Sequence, residues 1–184
     1  MISRKDAVGV VKENVSNENL RKHMYAVSDI MEALAEDLGE EKDEWYRAGM
    51  LHDVDYEKTK EDPEKHGKVS AEMVEKTVSE KVADAILSHN FEHTEVEPEK
   101  KLDYGLIASD ALSGLIVATA LVMPDSKIDQ VRVESVMKKI DDSSFASSID
   151  RDRIRFCEKL GLSLEKFVEI GLEAMKKDSE RLGL

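Results

Sequence analysis

Apolar residues recur at steps of three and four along nearly the whole chain, and this spacing is the strongest constraint on the fold. Such steps place side chains on one face of an α-helix, whereas a half-buried strand alternates apolar and polar residues. No segment shows convincing alternation, an internal repeat or a low-complexity linker. The sequence therefore predicts an all-α fold, a single compact helical bundle of roughly eight helices that forms one domain over residues 1–184. The clearest apolar stripe comprises Leu20, Met24, Val27, Ile30, Met31, Leu34 and Leu38.

Residues typical of helix ends divide the chain into these helices. Ser3 and Asn17 are of the type that caps helix N-termini, and Gly39 is typical of a helix C-terminus. Asp62-Pro63 predicts another start, because proline suits the first position of a helix. The predicted helices span about 4–13, 18–38, 42–54, 63–78, 80–90 and 101–123, with two or three more in the C-terminal third and a loop at 91–99.

The chain is strongly acidic, with a formal net charge of −13 at pH 7. This charge repels nucleic acid polymers and anionic membranes, so neither is an expected partner. A phosphorylated substrate would be repelled as well, unless the site supplied a local positive charge. A bound divalent cation is the obvious source of that charge.

The cysteine content and the apolar runs favour a cytoplasmic location. Cys157 is the only cysteine, so neither an intramolecular disulfide nor a cysteine-based zinc site can form. No apolar run is expected to be long enough to span a membrane, the best being Leu115–Met123. The N-terminus lacks the apolar stretch of a signal peptide. A cytoplasmic protein is therefore expected.

Five histidines and one isolated aspartate are the candidates for chemistry. His52 is followed directly by Asp53 near the end of an apolar helix, which by itself is a weak signal. Asp110 interrupts the apolar stretch Leu106–Leu112. An unpaired carboxylate on a buried helix is costly, so Asp110 needs a cation or an arginine nearby. The histidines are His23, His52, His66, His89 and His93.

The order His, then His-Asp, then a distant Asp, all on predicted helices, resembles the HD superfamily of metal-dependent phosphohydrolases. Ala48–Asp55 is similar to the family's characteristic segment, in which a small and apolar run precedes His-Asp, and Ser109–Leu115 is similar to its Asp-bearing helix. Cys157–Leu184 is similar to the C-terminal part of small single-domain members. The resemblance implies that His52 and Asp53 are the catalytic pair. The metal ligands that it implies are His23, His52, Asp53 and Asp110.

The resemblance also implies a second metal site. Members with two metals carry further histidines between the His-Asp pair and the last Asp, and His66 and His89 stand in that interval. Asp53 would then bridge both ions. Some of these members have paired histidines where this chain has His89-Asn90. Imidazole and carboxylate ligands favour one or two divalent ions of Mn, Fe, Co, Ni or Zn.

The substrate contacts are less well indicated. Many family members continue with Gly and Lys after the His-Asp pair, but this chain has Asp55 and Tyr56, so no catalytic lysine is assigned there. Lys68 and His93 are candidates for contact with substrate, although an exposed lysine and a loop histidine are more often simply solvated.

The resemblance implies hydrolysis of a phosphate ester, in a nucleotide or another small phosphorylated compound, by a metal-activated water. Two alternatives stay open. The same ligand order resembles the HD-type di-iron oxygenases, which activate dioxygen. A non-catalytic HD domain could instead sense a nucleotide or bind a partner, but such a domain has no need for six candidate ligands. The sequence indicates neither the substrate nor the oligomeric state.

Overall fold

The computed structural model describes residues 1–184 and contains α-helices joined by turns and two 3₁₀ helices, with no strand. Eight α-helices have seven or more residues, and four further segments form a single helical turn. The predictions of an all-α class and of roughly eight helices are confirmed. The segments are α1 (Arg4–Asn14), α2 (Glu18–Leu38), α3 (Lys42–Leu51), α4 (Tyr56–Thr59), α5 (Lys68–Val74), α6 (Glu80–Ser88), α7 (Phe91–Thr94), α8 (Lys101–Leu121), α9 (Val133–Asp141), α10 (Arg151–Ile154), α11 (Leu164–Lys177) and α12 (Ser179–Leu182).

The first helix ends follow the predicted capping chemistry. The Ser3 side chain accepts a hydrogen bond from the backbone N–H of Asp6, and the Asn17 side chain accepts from the second and third residues of α2. Gly39 closes α2 in the left-handed conformation, with φ of 69°. Local sequence is sufficient here, because each cap uses only groups within one turn of the helix end.

The predicted helix at 63–78 is wrong at its start. Residues 60–67 form a series of turns, and α5 begins only at Lys68, after Gly67 with φ of 85°. The Asn90 amide donates hydrogen bonds to the carbonyls of Pro63 and His66, which holds these groups outside a helix. His66 therefore lies in a turn before α5. The predicted loop at 91–99 is also partly wrong, because Phe91–Thr94 forms the helical turn α7.

Helix α8 is the central helix of the bundle. It packs against α2, α3, α6, α9 and α11, and 13 of its residues are buried. Its length and mean hydropathy of 1.5 make it apolar enough to cross a membrane, contrary to the expectation that no such run exists. However, 61% of its most apolar window is buried inside the fold. A helix enclosed by other helices is apolar on all sides because every side faces the core.

Close packing of α2 against α3 fixes the position of the His-Asp pair. A Cβ added at Gly49 would lie 2.7 Å from the Cα of Ser28, so the two backbones touch at this point. A glycine is thus required at position 49, because any side chain there would collide with the backbone of α2. This contact brings the end of α3 beside His23, in the second turn of α2.

Candidate metal centre

The candidate ligands come from five separate parts of the bundle and converge on one place. Two ligands lie within long helices, one in α2 and one in α8. The other four lie at or just beyond helix ends, in the turn after α3, the turn before α5 and the end of α6. In this order the residues are His23, Asp110, His52, Asp53, His66 and His89.

His23, His52, Asp53 and Asp110 form what we call the first ligand group. The Nε2 atom of His23 lies 3.1 Å from Oδ1 of Asp110 and 3.8 Å from Oδ2 of Asp53. The Nε2 atom of His52 lies 3.4 Å from Oδ1 of Asp53 and 3.9 Å from Oδ1 of Asp110. One ligand atom from each of His23, His52 and Asp53 fits within 4.8 Å of the others. The group can therefore surround a single small cation.

Asp53, His66 and His89 form the second ligand group. Oδ1 of Asp53 lies 3.4 Å from Nε2 of His66 and 3.6 Å from Nε2 of His89. The ligand atoms of this group also fit within 4.8 Å of one another. Asp53 belongs to both groups, so its carboxylate is positioned to serve two neighbouring cations. The structure thus brings together the six residues that the family resemblance implied as ligands.

The outer nitrogen of each histidine in the first group is already engaged. Nδ1 of His52 donates to the carbonyl of Gly49 at 2.8 Å, because a carbonyl can only accept. The hydroxyl of Ser113 donates to the carbonyl of Asp110, so it accepts from Nδ1 of His23 at 3.1 Å. Each neutral imidazole therefore presents an Nε2 lone pair to the centre. Nε2 of His52 is buried there without any hydrogen-bond partner.

The second group has the same arrangement. Nδ1 of His89 donates to the carbonyl of Ile86, and Nδ1 of His66 donates to Asp55 at 2.9 Å. The two Nε2 atoms lie 3.1 Å apart. Two lone pairs at this separation, facing a carboxylate, repel one another unless a proton or a metal cation lies between them. The donor set therefore fits a divalent transition metal, and the hydrogen bond at each Nδ1 fixes the orientation of its ring.

Electrostatic coupling within the cluster shifts the pKa values of its members. Burial opposes ionisation of Asp53, but the four surrounding imidazoles outweigh it and hold its pKa well below the usual range. Burial likewise opposes ionisation of Asp110, yet His23 lowers its pKa to about 2. Burial of His23 disfavours its charged form, but the Asp110 and Asp53 carboxylates raise its pKa. Burial lowers the pKa of His52. Both carboxylates are thus anionic at neutral pH.

Asp55 is the functional residue that the sequence did not indicate. Its side chain is completely buried; Oδ1 accepts from Nδ1 of His66, and Oδ2 accepts from the backbone N–H groups of Gly67 and Ser70. Burial alone would raise its pKa, but His66 and Ser70 lower it. Asp55 therefore orients His66 as a carboxylate behind a metal-binding histidine does. The one feature of the sequence that could have pointed to Asp55 is its position, two residues after Asp53.

A cavity of about 620 Å³ opens beside the first ligand group and is lined in part by His23 and Asp110. His93 also lines the cavity and is exposed, which keeps it a candidate for substrate contact. Lys68 lies elsewhere: its Nζ donates to the carbonyl of His93 at 3.2 Å, and it lines a different surface depression. Lys68 is thus not among the residues that line the cavity at the ligand groups.

A protein-family model described as the HD domain matches residues 20–114, slightly more than half of the chain. The chain belongs to the HD-domain family. No solved structure matches the chain. Members of the HD-domain family are generally metal-dependent hydrolases, and the His/Asp cluster fits their use of divalent metals.

The matched segment of the HD domain contains all six candidate ligands and ends at Gly114. The rest of α8 and all later helices lie beyond it. Part of the cavity wall comes from this later segment, namely Ser148, Ile149, Asp150 and Arg153. The candidate metal ligands therefore all lie within the segment that matches the HD domain, whereas residues outside that segment complete the cavity beside them.

Proposed function

We propose that this HD-domain protein hydrolyses a phosphate ester of a small molecule in the cytoplasm. The observation that carries the proposal is the convergence of four imidazole Nε2 atoms on the shared carboxylate of Asp53, beside an open cavity. This arrangement can hold one or two divalent ions at the edge of a space large enough for a small substrate. The ordinary chemistry of such a centre is hydrolysis.

The ligands and their supporting residues have distinct roles in this proposal. When bound, a divalent metal supplies a water of lowered pKa and positive charge for the phosphoryl oxygens. His23, His52, Asp53 and Asp110 would hold an ion beside the cavity, and Asp53, His66 and His89 would hold a second one. The remaining residues keep the ligand atoms fixed: the Gly49 carbonyl and Asp55 each hold an imidazole in one tautomer.

The experiment is phosphate release from a panel of nucleotides and phosphomonoesters, run anaerobically with Mn, Co, Ni or Fe(II). The inactive control is the double variant His52→Ala/Asp53→Ala. A matched control for general damage is Asp129→Asn, an exposed carboxylate that belongs to neither ligand group. Release that the double variant loses and Asp129→Asn keeps is expected. Absence of release with every metal would contradict the proposal.

A second candidate function is oxygen activation by a di-iron centre. The observation that favours it is the second ligand group, because Asp53, His66 and His89 complete a site for a second ion. A hydrolase works without oxygen, whereas an oxygenase consumes it. The Fe(II)-loaded protein is therefore compared in an oxygen electrode with and without the panel compounds. Substrate-dependent oxygen consumption without phosphate release would favour this candidate.

A further inference from the structure

The cavity beside the first ligand group carries one permanent positive charge. Among its lining residues Arg153 is the single lysine or arginine, and three lining residues are acidic, namely Glu92, Asp110 and Asp150. The chain has a net charge of −13, so a partly buried arginine among acidic lining residues suggests a role in binding an anion. An anion that enters this cavity meets positive charge only at Arg153 and at the metal centre.

The guanidinium of Arg153 lies beside the ligands without belonging to them. Its Nη1 is 3.9 Å from Oδ2 of Asp110, whose other oxygen faces Nε2 of His23 at 3.1 Å. Its Nη2 forms an ion pair with Glu92, a residue that is nearly half exposed. The guanidinium also lies over the ring of Phe91, with 5.6 Å from Cζ to the ring centroid. Arg153 is thus held at the cavity with Nη1 toward Asp110 and Nη2 toward Glu92.

The neighbouring arginine shows that this placement is specific. Arg151 lies on the same helical turn and donates to the carbonyls of the loop that precedes α10, among them those of Ala146 and Ile149. It orders the loop that supplies Ser148 and Ile149 to the cavity wall. Residues two apart on a helix point in nearly opposite directions, so Arg151 faces the loop and Arg153 faces the cavity.

We propose that Arg153 is a substrate-binding residue. Its guanidinium binds the phosphoryl group of a small, polar phosphate ester, which displaces Glu92 from the ion pair with Arg153. The inference rests on the proposed function and names its substrate class. A guanidinium offers two parallel donors that match phosphate oxygens, and a partly exposed ion pair is weak enough to be exchanged. Arg153 exposes 19% of its side chain and Glu92 exposes 46%, so the pair opens on the side of Glu92 while packing holds Arg153 in place.

The lining of the cavity favours a small polar ester over a nucleotide. Ala111 and Ile149 are its hydrophobic members, and no Phe, Tyr or Trp lines it. Bases are commonly bound by stacking on aromatic rings or apolar side chains, whereas hydroxyl groups pair with carboxylates and amides such as Glu92 and Asn90. A polyol phosphate fits this chemistry, with its phosphate toward Arg153.

The test is binding of inorganic phosphate to the Mn-loaded protein by titration calorimetry, with thermal unfolding and metal content measured alongside. Arg153→Ala is expected to weaken phosphate binding about tenfold or more, because a charge-assisted contact is lost. Arg155→Ala is the matched control, an exposed arginine two residues away that pairs with Glu158. It is expected to bind phosphate within about twofold of the wild type.

Glu92→Gln separates a binding role from a purely structural ion pair. If Glu92 competes with phosphate, its removal leaves Arg153 free and phosphate binds more tightly, whereas Arg153→Ala binds more weakly. A structural ion pair would lower the unfolding temperature in both variants and leave phosphate affinity unchanged. If Arg153→Ala does not fold, Arg153→Lys and Glu92→Gln carry the same test.

The outcomes distinguish the two proposals. Phosphate affinity that is equal in Arg153→Ala and Arg155→Ala, in a protein that releases phosphate from the panel, would overturn the role of Arg153 and leave the proposed function intact. Absence of both phosphate release and phosphate binding in the wild type would overturn both. Faster turnover of nucleoside monophosphates than of polyol phosphates would overturn the substrate class.

Discussion

The second ligand group is enclosed and held from behind, whereas the first is open on one side. The side chains of His66 and His89 are 17% and 2% exposed, and those of His23 and Asp110 are both 25% exposed. Behind the second group stands Asp55, which accepts a hydrogen bond from His66 and two more from the backbone N–H groups of Gly67 and Ser70. In the first group, the Gly49 carbonyl holds His52 and the Ser113 hydroxyl holds His23. The cavity lies on the other side of this group.

This difference indicates that the two ligand groups that share Asp53 have different roles. A group whose rings are fixed by buried hydrogen bonds loses little entropy when a metal binds, so it is suited to retain an ion. A group that faces a cavity can share its ion with a substrate. Substitutions at Asp53, Asp55 and Gly67, and the pH dependence of metal binding, test whether the two groups differ in this way.

The largest effect is expected from Asp53→Asn, because this residue belongs to both groups. Loss of its charge should remove metal from both and lower kcat/KM by at least about a thousandfold. Metal content and steady-state kinetics are the measurements, with Asp129→Asn as the control. Full retention of one ion in Asp53→Asn would show that the two groups do not depend on a shared carboxylate.

A smaller and one-sided effect is expected from Asp55→Asn. The amide keeps the volume but removes the charge behind His66, so metal affinity at the second group should fall by about 10–100-fold while the first group is unchanged. The free energy of unfolding should fall by about 1–3 kcal/mol.

Asp62→Asn is the control for Asp55→Asn, because this carboxylate lies in the turn before His66 and pairs only with Lys65. Titration with Mn or Zn and thermal unfolding are the measurements. An equal loss at both groups would contradict the proposed role of Asp55 and the division between the groups.

Protons should compete with metal at both groups. Burial disfavours the charged forms of His23 and His66, but neighbouring carboxylates raise the pKa of each above its ordinary value. The metal-free protein therefore retains these protons to higher pH, and the associated stabilisation is lost as pH rises through the raised pKa values. Metal must displace the protons, so its affinity should rise with pH by roughly tenfold per unit for each proton released.

Calorimetry in two buffers of different ionisation enthalpy measures the proton release directly. His66→Ala should release fewer protons than the wild type, and the exposed variant His93→Ala should release as many. Metal affinity that is constant from pH 6 to pH 8 would contradict proton competition.

The smallest effect is expected from Gly67→Ala. Gly67 has φ of 85°, and a Cβ there would lie 3.1 Å from the Ile86 carbonyl oxygen and 3.3 Å from Cε1 of His89. Gly161 has φ of 80° but no atom within 4 Å of an added Cβ. Both alanine variants should lose about 1 kcal/mol of stability from backbone strain. Only Gly67→Ala should also weaken metal binding at the second group, and equal metal affinities would contradict this.

Much of the fold could be predicted from the sequence because the signals are local. The caps at Ser3, Asn17 and Gly39 use groups within one helical turn, and the apolar stripe of α2 follows from helical periodicity alone. The turn at 60–67 could not be predicted, because its carbonyls are held by Asn90, a residue more than twenty positions later.

The candidate ligands were implied by the resemblance to the HD family, which rests on the type and order of the imidazole and carboxylate residues. The contacts that support these ligands were not indicated by the sequence. Asp55 looks like any acidic residue of a charged chain until the fold buries it against His66. Arg153 is one of many cations until α10 places it beside Asp110, 43 residues earlier in the chain.

The sequence by itself thus determined the helical class and most of the helices, because both depend on local spacing, and its resemblance to the HD family implied the set of candidate metal ligands. The tertiary structure decided which of these residues meet, which carboxylate supports a ligand and which arginine faces the cavity. Those relations depend on contacts between distant segments, and the buried position that makes Asp55 functional is created only when the helices pack.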